Sequence, residues 1–125
     1  MSITVAPVGN SRILSVGTYR PKRVVPNSEI VDRIDSTDEW IVQRTGIESR
    51  RFAGDDETVI SMAKAACEMA LERAKLSIED IDTVILSTIS YPFQAPSAAT
   101  ELINELGNPK AAAFDISAAC AGFCY

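Results

Sequence analysis

The sequence predicts an α/β fold in which a mostly parallel, mixed sheet packs between helices. Residues 82–88 and 110–116 are almost continuously apolar, a pattern typical of strands that are buried on both faces of a sheet. Segments with helical periodicity precede and separate these two strands. Strands that alternate with helices favour parallel pairing, because each connecting helix returns the chain to the same end of the sheet.

The composition limits the classes to which the protein can belong. Its 125 residues suit one small domain or part of a larger one. The net charge of −5 argues against broad binding to nucleic acid, although it is compatible with a local basic site for a phosphorylated ligand. No apolar stretch approaches the roughly 20 residues of a membrane-spanning helix, and we see no secretion signal. Three cysteines, an odd number, favour a reducing cytoplasm over a disulfide framework.

The first third of the chain carries weak signals of secondary structure. We expect a loose, variable start at residues 1–10 and a short strand at residues 13–16. Two short helices are predicted at residues 26–34 and 35–46, and the second of them ends at Gly46. The candidate N-terminal caps are Asn27 or Ser28 for the first helix and Asp35 or Ser36 for the second.

Stronger helix signals follow an internal loop at residues 50–57. The segment 55–76 is the best helix of the chain, since its apolar residues recur at helical spacing. Residues 77–80, "SIED", form a capping box that opens one helical turn. A further helix is predicted at residues 97–107, with a serine cap at its start and a glycine at its end.

The predicted strand 110–116 is followed by Cys120, which stands among small residues. Ala118, Ala121 and Gly122 allow a sharp turn from strand to helix, because the flanking backbones nearly touch in such a turn. Ligands of α/β sheets gather at the carboxyl ends of the strands, where this turn lies. The start of a helix also favours a thiolate, the species that attacks. Cys120 is therefore a candidate nucleophile.

Less specific interpretations of the cysteines remain open at this stage. One alternative is that Cys120 is a small residue that fills space in the core, as most cysteines are. Cys67, on the long helix, is expected in the core, and Cys124 is expected to pack against neighbouring residues. The chain contains no histidine, so two cysteines four residues apart make a poor zinc site.

Two motifs, taken together, resemble a known family of enzymes. The segments "STDEWIVQRTGIESRRFA" and "AFDISAACAGFCY" are similar to β-ketoacyl-acyl-carrier-protein synthase III, the initiating condensing enzyme of bacterial fatty-acid synthesis. The resemblance runs from about Arg12 to the last residue. It implies a thiolase-like fold, in which residues 11–125 form the amino-terminal half of the first thiolase-like domain. Chains of this family are considerably longer.

The resemblance also implies a mechanism and partners. Cys120 would accept the acyl group of an acyl-CoA primer, which malonyl-acyl-carrier protein would then extend with loss of carbon dioxide. A histidine and an asparagine that support the second step in the family come later in its chains. No cofactor is implied, since acyl-CoA is a substrate. The family further suggests a homodimer. The charge and hydropathy described above predict no nucleic-acid or membrane partner, and the cysteine count favours the cytoplasm.

Further residues acquire roles from the same resemblance. Trp40 and Arg44 lie four residues apart and therefore share a helix face. In the family the matching tryptophan stacks on the adenine of CoA and the matching arginine contacts its phosphates, whereas the residues alone allow a surface cation–π pair. Ser36 matches a hydroxyl near the adenine, or it is only a helix cap.

The acyl pocket shows one departure from some members of the family. Ala95 stands where those members place an aromatic residue that limits the pocket from across the dimer interface. A methyl group leaves more room, so we expect primers that are branched or longer than acetyl. Phe93 or Tyr91 can refill the space by swinging in, which is the competing expectation.

Other functions remain open on the sequence alone. A related enzyme of the thiolase fold, such as a hydroxymethylglutaryl-CoA synthase or a chalcone-synthase-like polyketide starter enzyme, shares the nucleophile turn. A different class is a non-catalytic fragment that binds CoA or a carrier protein. A third is a structural α/β interaction module. Residues that follow the cysteine turn, above all the later histidine, would separate these alternatives.

Overall fold

The computed structural model describes residue 9 and residues 11–124, so the variable start expected at residues 1–10 lies almost wholly outside the described residues. None of the helices in this part of the chain is long and apolar enough to span a bilayer. In chain order the elements are strand β1 (Arg23–Pro26), 3₁₀ turns Asn27–Glu29 and Val31–Arg33, helix α1 (Asp38–Thr45), strand β2 (Ser49–Phe52), helix α2 (Val59–Ala74), 3₁₀ turn Ile78–Asp80, strand β3 (Thr83–Ser87), helix α3 (Ala98–Leu106), strand β4 (Ala112–Ile116) and 3₁₀ turn Ala119–Phe123.

The predicted α/β arrangement is confirmed by the pairing of β3 with β4. The two strands are parallel, with Thr83 opposite Ala112 and Ser87 opposite Ile116, and α3 is the helix that connects them. The hydrophobic core lies between this sheet and the two long helices. Its buried members are Ile60, Leu86, Ala98, Ala99 and Leu102.

The apolar runs predicted that β3 and β4 are buried on both faces, and this prediction is wrong for the described chain. Ile85 is 53% exposed and Phe114, its partner across the parallel pair, is 47% exposed. Leu86, whose side chain points the opposite way, is buried in the core. The helices therefore cover one face of the β3–β4 pair and leave the other open.

A second sheet, which the sequence did not predict, consists of β1 and β2. These strands pair antiparallel, with Arg23 opposite Phe52 and Pro26 opposite Ser49. Their sequences, RVVP and SRRF, lack the apolar alternation that marks a strand, and all of β2 but Ser49 falls in the segment predicted as a loop. Pairing of two short segments far apart in the chain, rather than a local pattern, forms this sheet.

The strand predicted at residues 13–16 does not form in the described structure. This segment lies against α2 instead, where the Ser15 hydroxyl donates to the carbonyl of Ala70 at 2.7 Å and Arg73 donates to the carbonyl of Val16 at 2.6 Å. A Cβ atom on Gly17 would overlap the backbone of α2, so the approach requires glycine at that position. Two side-chain hydrogen bonds thus attach this segment to the helix.

The prediction of a helix at residues 26–34 is wrong, because two 3₁₀ turns occupy this segment. Neither Asn27 nor Ser28 caps a helix there. Asn27 is buried and acts across the fold: its amide nitrogen donates to Asp38 Oδ1 at 2.6 Å and to the carbonyl of Ile47 at 2.7 Å, and its oxygen accepts from Arg50. The buried amide joins β1, α1 and β2.

The other helices agree more closely with their predictions. Thr37, rather than Asp35 or Ser36, caps α1, because its Oγ1 accepts from the Trp40 amide at 3.2 Å. Gly46 ends α1 in the left-handed region, as predicted. The capping box at residues 77–80 is confirmed, since Asp80 Oδ2 accepts from the Ser77 amide at 2.9 Å. The caps predicted for α3, Ser97 and Gly107, are also confirmed.

The long helix α2 begins four residues later than predicted. Thr58 caps it, and Thr58 and Ser61 each accept a hydrogen bond from the other's amide, at 3.1 and 2.9 Å. Residue 57, which precedes the cap, is a buried glutamate. Its carboxylate accepts from the Tyr19 hydroxyl, from the Gly54 amide at 2.8 Å and from the Lys22 amide at 3.1 Å.

These hydrogen bonds give Glu57 a pH-dependent role in stability. The Tyr19 hydroxyl, followed by the Gly54 amide, lowers the pKa of Glu57 below its usual range. A carboxylate whose pKa is lower in the folded state stabilises the fold above its unfolded pKa of about 4.3, and this contribution is lost as the pH falls through the folded pKa.

We therefore predict that Glu57→Gln weakens the acid dependence of stability. The amide keeps the shape of the side chain but has no charge to titrate, so the slope of unfolding free energy against pH should become shallower below about pH 4.3. Urea unfolding at a series of pH values measures this slope. Glu79→Gln, at an exposed site, serves as the control, and an equal slope in wild type and Glu57→Gln would contradict the prediction.

Candidate active site

The Cys120 turn lies at the carboxyl ends of both parallel strands, as the sequence predicted. The amide of Thr88 donates to the carbonyl of Ile116 at 3.2 Å, which extends the β3–β4 ladder to the point where the turn begins. Cys120 is exposed, so the alternative of a buried cysteine that fills space does not describe this chain. Whether the thiol acts as a nucleophile stays a prediction.

Two backbone features shape this turn. Ala119, which directly precedes Cys120, has a φ of 46°, in the left-handed region that a residue with a Cβ rarely adopts. Gly122 lies so close to the end of β3 that a Cβ atom there would overlap Ser87 Oγ and lie 3.0 Å from Ser87 Cβ. The small residues around Cys120 therefore permit the tight bend that their spacing indicated.

The helix expected near Cys120 is only a short 3₁₀ turn within the described residues. The Ala121 amide donates to the carbonyl of Ala118 at 3.0 Å, and the Cys124 amide donates to that of Ala121 at 2.9 Å. Five residues of 3₁₀ structure carry a much smaller dipole than an α-helix. The stabilised thiolate that was expected at a helix start stays a prediction.

The other two cysteines differ from one another. Cys67 is half-buried on α2 and packs against the core, as predicted, and burial raises the pKa of its thiol. Cys124 is exposed, so the prediction that it packs against its neighbours is wrong for the described chain. The turn thus presents two accessible thiols, and Cys124 provides a matched control for Cys120.

Trp40 and Arg44 lie together on one face of α1. The guanidinium carbon of Arg44 is 5.2 Å from the centre of the Trp40 ring, and 53% of the Trp40 surface is exposed. The prediction that the two share a helix face is confirmed, and their contact has the geometry of a cation–π pair. Ser36 lies just before this helix without capping it. Contact of these residues with CoA stays a prediction.

The structure does not join the Trp40–Arg44 pair to the cysteine turn. Within residues 11–124, no hydrogen bond, ion pair or aromatic contact links the two groups. The sequence-predicted residues therefore form two separate groups in the described chain.

The residues of the predicted acyl pocket lie in the loop between β3 and α3. Ala95 and Phe93 are both exposed. Phe93 meets Tyr91 edge to face, with ring centres 5.7 Å apart, and both rings line a cavity of about 170 Å³ against the start of α2. A hydrogen bond to Glu101 holds the Tyr91 hydroxyl and raises the pKa of Tyr91 to about 12. Ala95 lies outside this cavity, so the role of Ala95 in an acyl pocket stays a prediction.

Asp115 is a positioning residue that the sequence reasoning missed. Its carboxylate, on β4, accepts from the amides of Ala98 at 2.8 Å and Ala99 at 2.7 Å, the first two residues of α3. These are the amides that a helix leaves without an internal partner. The available signal was one acidic residue in an otherwise apolar strand, five positions before Cys120.

The close approach of Gly122 to Ser87 leads to a mutational prediction. Gly122→Ala should destabilise the protein by about 1–3 kcal/mol, because the new methyl group overlaps the Ser87 side chain. Ser87→Gly should recover more than half of this loss when it is combined with Gly122→Ala. Urea unfolding of the wild type, the two single variants and the double variant measures the coupling.

The control for this cycle is the neighbouring exposed residue Ala121. Ala121→Ser should change the unfolding free energy by less than about 0.5 kcal/mol. If Ser87→Gly gave no recovery, the contact between the turn and β3 would not be the cause of the instability.

The chain is similar to known enzymes over most of its length. No protein-family model matches it. It is 55% identical over 113 residues to the mycobacterial β-ketoacyl-[acyl-carrier-protein] synthase III of Mycobacterium tuberculosis. The matched region covers 90% of this chain and 34% of that protein. The chain thus spans about a third of the length of the curated relatives it matches, at their amino-terminal end.

Solved structures agree with this similarity. The priming β-ketosynthase of the R1128 polyketide pathway superimposes with a TM-score of 0.86 at 50% identity, covering 90% of this chain and 34% of that one. The 3-oxoacyl-[acyl-carrier-protein] synthase III of Aquifex aeolicus gives a TM-score of 0.87 at 42% identity, covering 93% and 37%. The predicted thiolase-like α/β fold is therefore confirmed.

Proposed function

We propose that this chain is the amino-terminal part of a β-ketoacyl-acyl-carrier-protein synthase III and carries the acyl-accepting cysteine of that enzyme. The observation that carries the proposal is the exposed Cys120 in a tight turn at the carboxyl ends of two parallel strands. Its support is the similarity, over nearly the whole chain, to enzymes that bear this name. A non-catalytic binding fragment or a structural module gains no comparable support.

The proposed reaction has two covalent steps. In the first, the Cys120 thiolate attacks the carbonyl carbon of an acyl-CoA, the carbon–sulfur bond to CoA breaks, and the CoA thiolate takes a proton. The amide of Cys120 is a candidate donor to the oxyanion that develops. In the second, malonyl-acyl-carrier protein loses carbon dioxide, and the resulting carbanion attacks the acyl carbon and expels the Cys120 thiolate.

The second step needs groups that this chain does not contain. A histidine that supports decarboxylation is expected from the resemblance, and the sequence has none. We therefore propose that residues 1–125 alone accept an acyl group at most. The same proposal includes a homodimer in the cytoplasm and no cofactor other than the CoA of the substrate.

A second candidate is priming of polyketide synthesis. The similarity to the priming ketosynthase described above favours it, and both candidates use the same chemistry at Cys120. Ala95, in the position of a pocket-limiting aromatic residue, supports a primer that is branched or longer than acetyl.

The test is acylation of the complete polypeptide that carries these residues. Incubation with acetyl-, isobutyryl- or octanoyl-CoA should add one acyl group, which peptide mass mapping should locate at Cys120, with release of one CoA thiol per chain. Cys120→Ser should abolish the thioester, and Cys124→Ser, four residues away in the same turn, should preserve it. Faster acylation is expected from isobutyryl- or octanoyl-CoA than from acetyl-CoA.

Two outcomes would contradict parts of the proposal separately. Absence of an adduct at Cys120 in a folded protein would exclude the acyl-enzyme. A strict preference for acetyl-CoA would exclude the enlarged pocket at Ala95 and leave the acyl-enzyme in place.

The Trp40–Arg44 pair leads to a prediction about CoA. Trp40→Ala should raise the KM for acyl-CoA about threefold to tenfold, because stacking of an aromatic ring contributes about 0.5–1.5 kcal/mol. Gln43→Ala, at an exposed position on the same helix, should leave the KM unchanged. Steady-state kinetics with acyl-CoA and with the matching acyl-pantetheine, which lacks the nucleotide, give the comparison. An equal loss with both substrates would contradict a role in nucleotide binding.

A further inference from the structure

A concave cluster of arginines lies outside the proposed reaction site. Arg20, Arg50 and Arg51 line a cavity of about 350 Å³ together with Val24 and Ser49. Arg50 and Arg51 belong to β2, whereas Arg20 precedes β1 by three residues. The antiparallel pairing of β1 with β2 therefore brings together cations that are 30 positions apart in the sequence.

Two of these guanidinium groups are held in place by neutral acceptors. Arg51 Nη1 donates to the carbonyls of Pro21 and Lys22, both at 3.1 Å. Arg50 donates to the carbonyl of Val25 at 3.4 Å and to the Asn27 side chain. These bonds orient the groups without neutralising their charge. A guanidinium has five N–H donors, so Arg51, whose side chain shares the exposed face of the sheet with Val24, keeps donors for a ligand.

The cluster has no carboxylate partner within residues 11–124. The ion pairs of this part of the chain are Lys22–Asp56, Arg23–Glu29 and Lys64–Glu105. Asp38 comes near Arg50 only through Asn27, whose amide nitrogen donates to Asp38 while its oxygen accepts from Arg50. Arg50 and Arg51 are consecutive strand residues, so their side chains point to opposite faces, and the Arg50 guanidinium bonds to the buried Asn27. In a chain with a net charge of −5, the unneutralised Arg20 and Arg51 at one cavity form a local positive site.

We propose that this arginine cluster binds a phosphate group of a small-molecule ligand. Guanidinium groups match the geometry of phosphate oxygens and donate paired hydrogen bonds to them. The Ser49 hydroxyl adds a further donor at the rim of the cavity. A cavity of about 350 Å³ lies within the range of about 300–1,000 Å³ that small-molecule sites occupy.

The site lies apart from the residues to which the proposed function assigns a role. The cavity is lined neither by Cys120 nor by the Trp40–Arg44 pair. The phosphate can come from CoA itself or from a separate phosphorylated metabolite. Both sources share the chemistry that the cluster recognises, and competition separates them.

Calorimetric titration of the complete polypeptide with inorganic pyrophosphate tests the proposal. We expect saturable binding that weakens when sodium chloride is added. Arg20→Gln should weaken it about tenfold, since a hydrogen bond between charged groups is lost. No hydrogen bond of Arg20 to other described residues stabilises the fold, so this variant should remain folded, which circular dichroism verifies. Arg33→Gln removes an exposed arginine elsewhere and should leave the affinity unchanged.

The controls separate this site from general attraction of anions. Absence of saturable binding, an unchanged affinity in Arg20→Gln, or an equal loss in Arg33→Gln would overturn the proposal. If saturating CoA prevents pyrophosphate binding, the site takes a phosphate of CoA; if it does not, the site takes a separate ligand, and both results support a phosphate site. The readout is binding, so failure of Cys120 to accept an acyl group would leave it unaffected.

Discussion

The carboxylate of Asp115 organises the half of the fold that contains the cysteine turn. It accepts the first two amides of α3, those of Ala98 and Ala99, and both of these residues are fully buried. An acidic group at this end of a helix satisfies orphan donors and meets the positive end of the dipole. The bond ties α3 to β4 one residue before the strand ends at Ile116, and the turn departs from that point.

The turn adds its own constraints to this support. Ala119 adopts a left-handed conformation, and Gly122 packs against Ser87 at the end of the neighbouring strand. A residue without a side chain is therefore required two positions after Cys120, for reasons of space rather than chemistry. The Cys120 thiol itself is exposed.

In the other half of the fold, the buried amide of Asn27 has a comparable role. It bonds to Asp38 at the start of α1 and to Arg50 on β2, so the helix that carries Trp40 and the strand that lines the arginine cluster share one support. Since a neutral amide stands between Asp38 and Arg50, the guanidinium is oriented without being neutralised. Both candidate ligand-binding features of this half thus depend on a residue that itself contacts no proposed ligand.

The sequence by itself determined the parts of this protein that depend on local patterns. The caps of α3, the box at residues 77–80, the two parallel strands and the small-residue turn at Cys120 follow from neighbouring residues, because capping and periodicity act over a few positions. Only the tertiary structure decided the β1–β2 pair, the position of residues 13–16 on α2 and the partners of Asn27 and Asp115. These depend on hydrogen bonds between segments distant in the chain, which no local pattern encodes.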